Sequence, residues 1–514
     1  DGTNTFKTVT YNIKNVDNVE PTIESIETQV EGATVTVNAV AKDEAKDSKG
    51  VSAATGIEGI ARYEYSINGK SYQESNKFNI TSPEMNTVYV KAIDKAGNEK
   101  IESKKIDIKD VATVEITNID NGTVNIFDDV TTTFTAKIVG MNYKYQWYYN
   151  DTAIGEQSEE LSGERTIAFN VPTNTMTMDN YSGGTYKCKV TNGVGENEAT
   201  AKQTVTYTVS NANQMKNFAK RVNNQSITFE GKTIEQTADI DLSSVCSETI
   251  GSWEPIALWT AEDESTHRYF YGTYNGNNYK IKNIYAYNEK DYHQGLFGQN
   301  NGIIKNVNIA NGIVKNASKG CAGIAGSNIN LIENCSNNAS VTGVRGVGGI
   351  AGGNIGIIKK CYNTGVVSGN NRVGGIVGDH SSYGKDTGAE LYDCYNTGEV
   401  KCSGFWGGGI AGVNYYECIV ENSYNIGKVI NDNGDSTTIF GVVGNNLSKV
   451  INCYYKENSA SAGASTGDVY GQVEVRTEAY MKTNGFVENL GTTNWKIVDG
   501  LNNGYPVLSW EEGR

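Results

Sequence analysis

The sequence predicts an all-β protein in which tandem β-sandwich modules are followed by a parallel β-helix-like solenoid. From Thr22 to Ile108, short runs of alternating apolar and polar residues recur every 8–12 positions. Between residues 295 and 444, a tetrad of the form Gly-(Ile/Leu/Val)-(Ala/Phe/Val)-Gly occurs six times. The 514 residues include 58 glycines, 31 tyrosines and five prolines. Glycine and β-branched residues placed at a regular period are typical of stacked coils.

Charge and hydropathy argue against several functions. The chain carries 59 acidic and 44 basic residues, a net charge of −15 at pH 7. This balance repels phosphate backbones and anionic lipid, so nucleic-acid binding and membrane-surface roles are not expected. No apolar stretch approaches the roughly 20 residues that a membrane helix needs, so we expect no membrane insertion. The polar, β-rich composition favours an extracellular protein.

The N-terminal part predicts one strand and a first sandwich. Residues 1–18 read as the last strand of a preceding module, and residues 19–109 contain four alternating runs separated by turn residues. The runs YEYSINGKSYQESNKF and VYVKAIDKAGN resemble bacterial immunoglobulin-like (Ig-like) modules of surface proteins. Asp94 and Asn98, in the second run, either cap a turn or help to hold a cation. For the chain as a whole, no cofactor other than a structural Ca²⁺ ion is expected.

Residues 110–208 form the second predicted sandwich. Trp147 lies mid-strand in YQWYYN, and Tyr186 precedes Cys188 by two residues in YSGGTYKCKV. This arrangement resembles the strand-C tryptophan and tyrosine corner of Ig-like domains. The strand TTTFTAKIV has no cysteine, and Ala136 occupies the place of the disulfide partner. We therefore expect Cys188 to be a buried thiol packed near Trp147.

Residues 209–514 form the predicted solenoid, which opens with a helix at 211–224 behind the cap-like Ser210 and Asn211. The apolar face of this helix consists of Met215, Phe218, Ala219 and Val222. We expect this helix and the terminal segment that contains Trp495 and Trp510 to cover the two open ends of the stack.

The repeats align position by position. Their tetrads are GLFG (295–298), GIAG (323–326), GIAG (349–352), GIVG (375–378), GIAG (409–412) and GVVG (441–444). One aligned column consists of Val307, Cys335, Cys361, Cys394, Ser423 and Cys453, and the column two residues later contains Asn337, Asn363, Asn396 and Asn425. If each repeat is one coil, equivalent residues stack about 4.8 Å apart, with small side chains inside and asparagines in hydrogen-bonded ladders.

The tetrads resemble the GLUG motif, which occurs in tandem in bacterial surface proteins. The lead-in FYGTYNGNNYKIKNIYA (270–286) and the closing segment NNGYPVLSW (502–510) are similar to the flanks of such domains. The resemblance covers residues 209–514. It implies a cell-surface, often host-associated, bacterial protein, and similar segments accompany some immunoglobulin A proteases. It implies no reaction.

An aromatic stripe is the predicted ligand site. The residue after each position of the cysteine column should face outward on successive coils. These residues include Tyr362, Tyr395, Tyr424 and Tyr454, and Phe405, Trp406, Tyr415 and Tyr416 extend the stripe. Two interpretations remain open: cross-strand packing that protects the sheet, and an aromatic platform for a sugar or protein ligand.

The cysteine column predicts a stack of buried thiols. Metal-thiolate sites need cysteine pairs about two to four residues apart, whereas these cysteines are about one coil apart. Side chains at equivalent positions of stacked strands run parallel, which disfavours disulfides. Cys402 and Cys418 lie outside the column and are the candidate pair if a bridge exists.

Motifs for catalysis are absent from the sequence. The three histidines, His267, His293 and His380, lie in no zinc-protease motif, and no serine-hydrolase elbow or P-loop occurs. The insertion at 379–393 contains Asp379, His380, Asp386, Glu390 and Asp393. Such a group would bind Ca²⁺, supply an acid–base pair to a polysaccharide, or form a solvated loop.

The sequence thus predicts a monomeric, non-catalytic adhesin or binding protein on a bacterial surface, secreted or wall-anchored, with Ig-like spacers that display the solenoid. The expected partner is a host or environmental glycan, a mucin, an immunoglobulin or a matrix protein. The alternatives are a polysaccharide lyase or glycosidase built on the solenoid, and a purely structural spacer.

Overall fold

The computed structural model describes residues 16–52, 56–259, 267–289, 293–382, 388–434, 436–465 and 473–512. Strands and turns dominate these residues, which confirms the all-β prediction. The described chain forms two compact units. The second unit holds the residues from Val205 onward together with Thr123–Val130 and Pro172–Ser182, and the first unit holds the rest.

The first module is a pair of antiparallel sheets ordered β1-β2-β4 and β3-β5-β6. The strands are β1 (Thr22–Glu31), β2 (Thr34–Lys42), β3 (Ile60–Ser66), β4 (Lys77–Asn79), β5 (Thr87–Asp94) and β6 (Glu99–Lys105). Alternate residues are buried, as the sequence predicts: Val35 and Val37 from β2 pack in one core with Val88 and Val90 from β5.

The second module is built around one long strand. The strands are β7 (Thr113–Asp120), β8 (Thr123–Asn125), β9 (Thr131–Tyr149), β10 (Thr152–Ile154), β11 (Leu161–Pro172), β12 (Gly183–Thr191) and β13 (Glu196–Thr206). The predicted strands TTTFTAKIV and YQWYYN both belong to β9, whose backbone bends where Asn142 takes a left-handed φ of 48°. Strand β9 pairs antiparallel with β7, β10 and β12.

The thiol prediction for this module is confirmed. Cys188 is buried and lies opposite Trp147 in the register of β12 and β9. Ala136 is also buried, and Cys188 forms no disulfide. Burial raises the pKa of the Cys188 thiol to about 12, so the thiolate is not populated at neutral pH.

The predicted helix is α1 (Ala212–Gln225). The side chain of Asn211 caps it by accepting a hydrogen bond from the Gln214 amide. Met215, Phe218, Ala219 and Val222 are all buried. The Phe218 ring lies 5.9 Å from the Tyr274 ring, so α1 covers the beginning of the solenoid as the sequence predicts.

The solenoid has four parallel sheets, and from Thr273 to Asn446 the chain visits them in the order 1, 2, 3, 4 in each coil. Sheet 1 contains β14 (Thr208–Val209), β15 (Thr233–Gln236), β17 (Thr273–Asn275), β21 (Ile303–Lys305), β25 (Leu331–Glu333), β29 (Ile357–Lys359), β33 (Glu390–Tyr392), β38 (Ile419–Glu421) and β43 (Lys449–Ile451). Sheet 2 contains β16 (Ile240–Asp241), β18 (Lys280–Lys282), β22 (Asn308–Ile309), β26 (Ser336–Asn337), β30 (Tyr362–Asn363), β34 (Tyr395–Asn396), β39 (Tyr424–Asn425), β44 (Cys453–Lys456) and β45 (Val473–Arg476).

The other two sheets meet at the tetrads. Sheet 3 contains β19 (Ile284–Asn288), β23 (Gly312–Ala322), β27 (Ser340–Gly348), β31 (Val367–Gly374), β35 (Val400–Cys402), β36 (Gly407–Gly408), β40 (Val429–Ile430) and β41 (Ile439–Phe440). Sheet 4 contains β20 (Phe297–Asn300), β24 (Ala325–Asn328), β28 (Ala351–Asn354), β32 (Val377–Ser381), β37 (Ala411–Tyr415) and β42 (Val443–Asn446).

The predicted column register is confirmed. Tyr362 pairs with Tyr395 in parallel strands, and the amide of Tyr395 donates to the carbonyl oxygen of Cys361. Cys361 and Cys394 therefore occupy equivalent places on adjacent coils. All nine cysteines lie among the described residues and are buried, and none of them, including Cys402 and Cys418, forms a disulfide.

The two glycines of each tetrad are required by close approach. A Cβ on Gly349 would lie 2.4 Å from Cγ of Asn363, and one on Gly378 would lie 2.2 Å from the amide nitrogen of Val347 in the preceding coil. The first glycine of a tetrad thus makes room for an inward asparagine, and the last lets two backbones meet. The residues between them, such as Ile350 and Ala351, are buried.

Two buried ladders run along the axis, as the asparagine column predicts. In the first, Asn337 donates to Asn363, Asn363 to Asn396, and Asn396 to Asn425, at 2.8–2.9 Å. The second consists of Asn300, Asn328, Asn354, His380, Asn414 and Asn446. Because each amide both donates and accepts, a ladder satisfies polar groups inside a narrow core.

The C-terminal segment consists of α2 (Glu478–Met481), α3 (Asn484–Leu490), β46 (Trp495–Lys496) and β47 (Val507–Leu508). The prediction that its tryptophans cover the open end is wrong. The indole of Trp510 donates to the carbonyl oxygen of Lys360, and the indole of Trp495 donates to Asp393. The segment therefore lies along the side of sheet 2.

Candidate ligand-binding groove

The predicted tyrosine stripe exists but does not face solvent. The rings of Tyr362 and Tyr395 stack at 4.9 Å, and those of Tyr395 and Tyr424 at 5.3 Å. Tyr395, Tyr424 and Tyr454 are buried, with exposures of 2%, 0% and 5%. These rings point away from the coil interior as predicted, but the prediction of an exposed platform is wrong here, because the C-terminal segment covers them.

Polar contacts hold this cover in place. The hydroxyl of Tyr395 donates to the buried Glu511 carboxylate, and that of Tyr424 donates to the carbonyl oxygen of Pro506. Asp393 is buried and accepts from the Asn494 amide and the Trp495 indole. Burial raises the pKa of Asp393, and the two donors oppose that rise. Asp393 thus anchors the C-terminal segment to sheet 2.

The other acidic candidates are not brought together with Asp393. Asp379 lies on β32 in sheet 4, whereas Glu390 begins β33 in sheet 1. Asp386 falls outside the described residues. Among the described residues of the insertion, no three of these side chains bring their possible metal-ligand atoms within 4.8 Å of one another.

His380 is a rung of the second ladder. Its Nδ1 accepts from the Asn354 amide at 3.1 Å, and its Nε2 donates to the carbonyl oxygen of Ile419 at 3.1 Å. The ring is fully buried, and burial lowers its pKa to about 4. Both ring nitrogens are therefore engaged in holding the fold. The ring therefore does not donate to the next rung: Oδ1 of Asn414 is buried and has no hydrogen-bond partner among the described residues.

The presence of a histidine, His380, at a rung where the other coils have asparagine makes stability depend on pH. His380 stays neutral in the folded state down to about pH 4, whereas the unfolded chain protonates near pH 6.5. Since the unfolded state binds more protons between these values, stability is complete above about pH 6.5 and falls by up to roughly 3 kcal/mol as the pH falls to 4. His380→Asn should remove this part of the pH dependence. It should also raise stability at neutral pH by about 1 kcal/mol, because its amide can reach Asn414.

Urea unfolding of the wild type and His380→Asn at pH 4.5 and 7.5 checks this prediction. The difference between the two proteins isolates His380 from the other titrating groups. An equal loss of stability in both proteins would contradict the role of the buried ring.

Of the remaining aromatic candidates, Tyr415 is buried and Trp406 is half-buried. Phe405 and Tyr416 are exposed by 61% and 53%. The guanidinium of Arg372 lies 5.4 Å from the Trp406 ring and 5.8 Å from the Tyr415 ring. These distances allow cation–π contacts, and they place the aromatic group at one end of a groove.

The groove arises from one column of left-handed residues. Gly320, Gly346, Arg372 and Trp406 each precede aligned residues of sheet 3, and their φ values are 68°, 65°, 55° and 70°. Two successive coils have no side chain at this corner, whereas the next two carry large ones. The missing side chains leave a cavity of about 300 Å³.

Gly320 and Gly346 form the glycine floor of the groove, and cationic side chains lie beside it. The lining includes Gly326, Gly352, Gly353, Lys319 and Arg345. Lys319 and Arg345 are exposed and paired in register on adjacent coils. In a chain with a net charge of −15, two adjacent cations are a local reversal of sign.

One end of the groove is closed by Arg372 and Asp379. They form an ion pair, yet Nε of Arg372 and Oδ1 of Asp379 are buried without a hydrogen-bond partner among the described residues. Buried groups of this kind are rarely left unsatisfied. This end therefore keeps a donor and an acceptor for a further polar group.

The other end is formed by His293, whose Nδ1 is also buried and lacks a hydrogen-bond partner in the described structure. The Trp259 ring lies 5.3 Å from the His293 ring and stacks on the ring of His267 at 3.7 Å. Burial lowers the pKa of His293 to about 4, so its imidazole is neutral at pH 7. The groove thus runs between two aromatic groups, with cations along its rim.

Sequence reasoning found the aromatic end of the groove but missed the floor. The signal was available in the alignment, because the residue three places before the tetrad reads Gly320, Gly346, Arg372 and Trp406 in four successive repeats. The placement of His293 and Trp259 had no such signal, because both residues lie before the first tetrad, at 295–298.

Comparison with known proteins finds similarity to solved structures. The chain matches no protein-family model, and no curated protein matches it. A candidate immunoglobulin A1 protease from Bacteroides ovatus, a solved structure, is 23% identical over 59% of this chain and 92% of its own, with a TM-score of 0.45. The four N-terminal Ig domains of Dscam1 isoform 4.44 are 16% identical over 28% and 37%, with a TM-score of 0.19. Titin A168–A169 is 10% identical over 37% and 100%, with a TM-score of 0.22.

Among the described residues, no helix has both the length and the apolar character needed to cross a bilayer.

Proposed function

We propose that this chain is a non-catalytic binding protein on a bacterial surface and that its solenoid holds a ligand in the groove between His293 and Arg372. The observation that carries the proposal is the glycine floor, since Gly320 and Gly346 leave room where the next coils carry Arg372 and Trp406. The resulting volume of about 300 Å³ lies at the small end of ligand sites.

The chemistry of the rim favours an acidic glycan. Arg345 and Lys319 line the groove and offer charged donors for a carboxylate or sulfate. The Trp406 ring, which lies beside Arg372 at the end of the groove, would offer a flat apolar face. A sugar chain that lies along the coils would meet a cation or an aromatic ring on each successive coil. A sialylated mucin, a glycosylated immunoglobulin and an acidic matrix polysaccharide all present such groups.

The repeat sequence supports an extracellular setting. The tetrads resemble the GLUG motif of bacterial surface proteins, and the two modules before them resemble Ig-like spacers. A solenoid is rigid because each coil is fixed by its neighbours, so it presents an extended surface without an ordering cost on binding.

An array of glycans that contains sialylated, uronic-acid, sulfated and neutral members, probed with the full chain, tests this function. We expect binding to acidic members only. In Lys319→Ala/Arg345→Ala, affinity should fall by at least about tenfold, because each charged hydrogen bond is worth roughly 1.5–3 kcal/mol. Binding should also weaken with added salt.

The control is Lys315→Ala, which removes an exposed lysine from the same strand, β23, outside the groove lining. It should bind like the wild type. Equal binding of neutral and acidic glycans, or full affinity in the double variant, would contradict the proposed ligand class.

A further inference from the structure

Three aspartates meet at one end of the first module. Asp17 lies before β1, Asp43 follows β2, and Asp94 is the last residue of β5. One carboxylate oxygen from each lies within 4.8 Å of the others. The cluster therefore joins three separate segments of the sandwich.

The cluster is buried and has no balancing cation in the described structure. Asp17 and Asp94 are 4% and 1% exposed, and Asp43 is half-buried. Among the described residues, no lysine or arginine forms an ion pair with any of the three, although Lys42, Lys46 and Lys100 pair with nearby glutamates. Three like charges at this spacing repel one another strongly in a low-dielectric setting.

Neutral donors satisfy only part of the cluster. Oδ1 of Asp94 accepts from the amides of Ala96 and Asn98, as the predicted turn requires, and Oδ2 of Asp43 accepts from the Gly59 amide. The side chain of Asn98 donates to Oδ2 of Asp94 and to the carbonyl oxygen of Asp17. These contacts fix the geometry without neutralising the charge.

One oxygen in the cluster is left without any partner. Oδ1 of Asp17 accepts from the Val19 amide, but Oδ2 is buried and has no hydrogen-bond partner among the described residues. A buried, ionisable oxygen is rarely left unsatisfied in a native structure. Its position beside two other carboxylates indicates a positively charged ligand.

We propose that Asp17, Asp43 and Asp94 bind one Ca²⁺ ion. Carboxylate oxygens are the ligands that this cation prefers, and sites with oxygen ligands alone do not favour zinc. In this proposal Asp94 has two roles, because Oδ1 accepts the hydrogen bonds of the turn while the carboxylate also faces the ion. The ion ties the segment before β1 to the ends of β2 and β5, so it stiffens this end of the module.

Calcium titration of the full chain after dialysis against a chelator tests the site. We expect one Ca²⁺ per chain with a dissociation constant of about 10⁻³ M or tighter, the range of extracellular modules. Hydrogen exchange should slow near residues 16–20, 43–46 and 94–98 when Ca²⁺ is added. Asp17→Asn and Asp43→Asn should each weaken binding by at least about tenfold, since each removes one charge while keeping the shape.

Asp107→Asn is the matched control, because this aspartate lies in the same module but is exposed. It should bind Ca²⁺ like the wild type. The absence of a binding heat and of any exchange change in the wild type at about 10 mM Ca²⁺ would overturn the site. Unchanged affinity in Asp17→Asn and Asp43→Asn would overturn it as well, and tighter binding of Mg²⁺ than of Ca²⁺ would overturn the choice of ion.

Discussion

Gly349→Ala is expected to destabilise the solenoid by about 3 kcal/mol or more, because the new methyl group has no room. Its Cβ would lie 2.4 Å from Cγ of Asn363 and 2.4 Å from the carbonyl oxygen of Gly375. To relieve the contact, either a coil must separate from its neighbour or Asn363 must leave its ladder. Asn363 would then lose hydrogen bonds to the rungs on both sides.

Gly353→Ala, four residues further along the same coil, is the matched control. A Cβ there meets nothing closer than the carbonyl oxygen of Asp379 at 3.9 Å. Urea unfolding followed by far-UV circular dichroism should show a large loss of stability for Gly349→Ala and a change within about 0.5 kcal/mol for Gly353→Ala. Equal effects would mean that the tetrad glycine is not placed as described.

Trp495→Ala is expected to release the C-terminal segment from sheet 2 at a cost of about 3–5 kcal/mol, the usual range for a buried tryptophan. The Trp495 ring lies 5.4 Å from the Tyr424 ring and is 1% exposed, and its indole is one of the two donors to the buried Asp393. The variant therefore also leaves a buried carboxylate with fewer hydrogen bonds. The tyrosine column should become accessible.

Limited proteolysis and quenching of tyrosine fluorescence measure this release. In Trp495→Ala, cleavage within residues 478–512 should accelerate and quenching should increase. Trp406→Ala is the control, because Trp406 is only half-buried and lies at the groove. If Trp495→Ala is cleaved no faster than this control, the segment is not held on sheet 2 by that ring.

The repeat architecture could be predicted because each repeat carries the same requirements. Glycine is needed where two chains touch, asparagine where a buried amide must reach the next coil, and valine or isoleucine inside. These requirements are local to a coil and its neighbours, so a column such as Cys361 and Cys394 can be read from spacing alone.

The burial of the tyrosine column could not be predicted from the spacing of the repeats. Alternation shows correctly that Tyr395 and Tyr424 point away from the coil interior, but it cannot show what lies outside. The cover comes from residues more than 50 positions away, through Phe486, Trp495 and Leu508. The available signal was the set of apolar residues in that terminal segment, which need a surface to pack against, and the tyrosine column is such a surface.

The groove could be predicted only in part, because it is defined by missing side chains. Phe405, Trp406, Tyr415 and Tyr416 stood out in the sequence as aromatic, whereas Gly320 and Gly346 looked like ordinary corner glycines. Their meaning depends on the contrast with Arg372 and Trp406 on the next coils, which appears only when the repeats are stacked.

The most direct test of the account is to fill the groove and measure binding. Gly353 lines the cavity, and a Cβ there meets no close neighbour, so Gly353→Trp should place an indole in the space without unfolding the coil. Calorimetric titration with an acidic glycan that binds the wild type should give no detectable binding to Gly353→Trp and full binding to Gly353→Ala. Undiminished affinity in a folded Gly353→Trp protein would contradict the claim that the ligand lies in this groove.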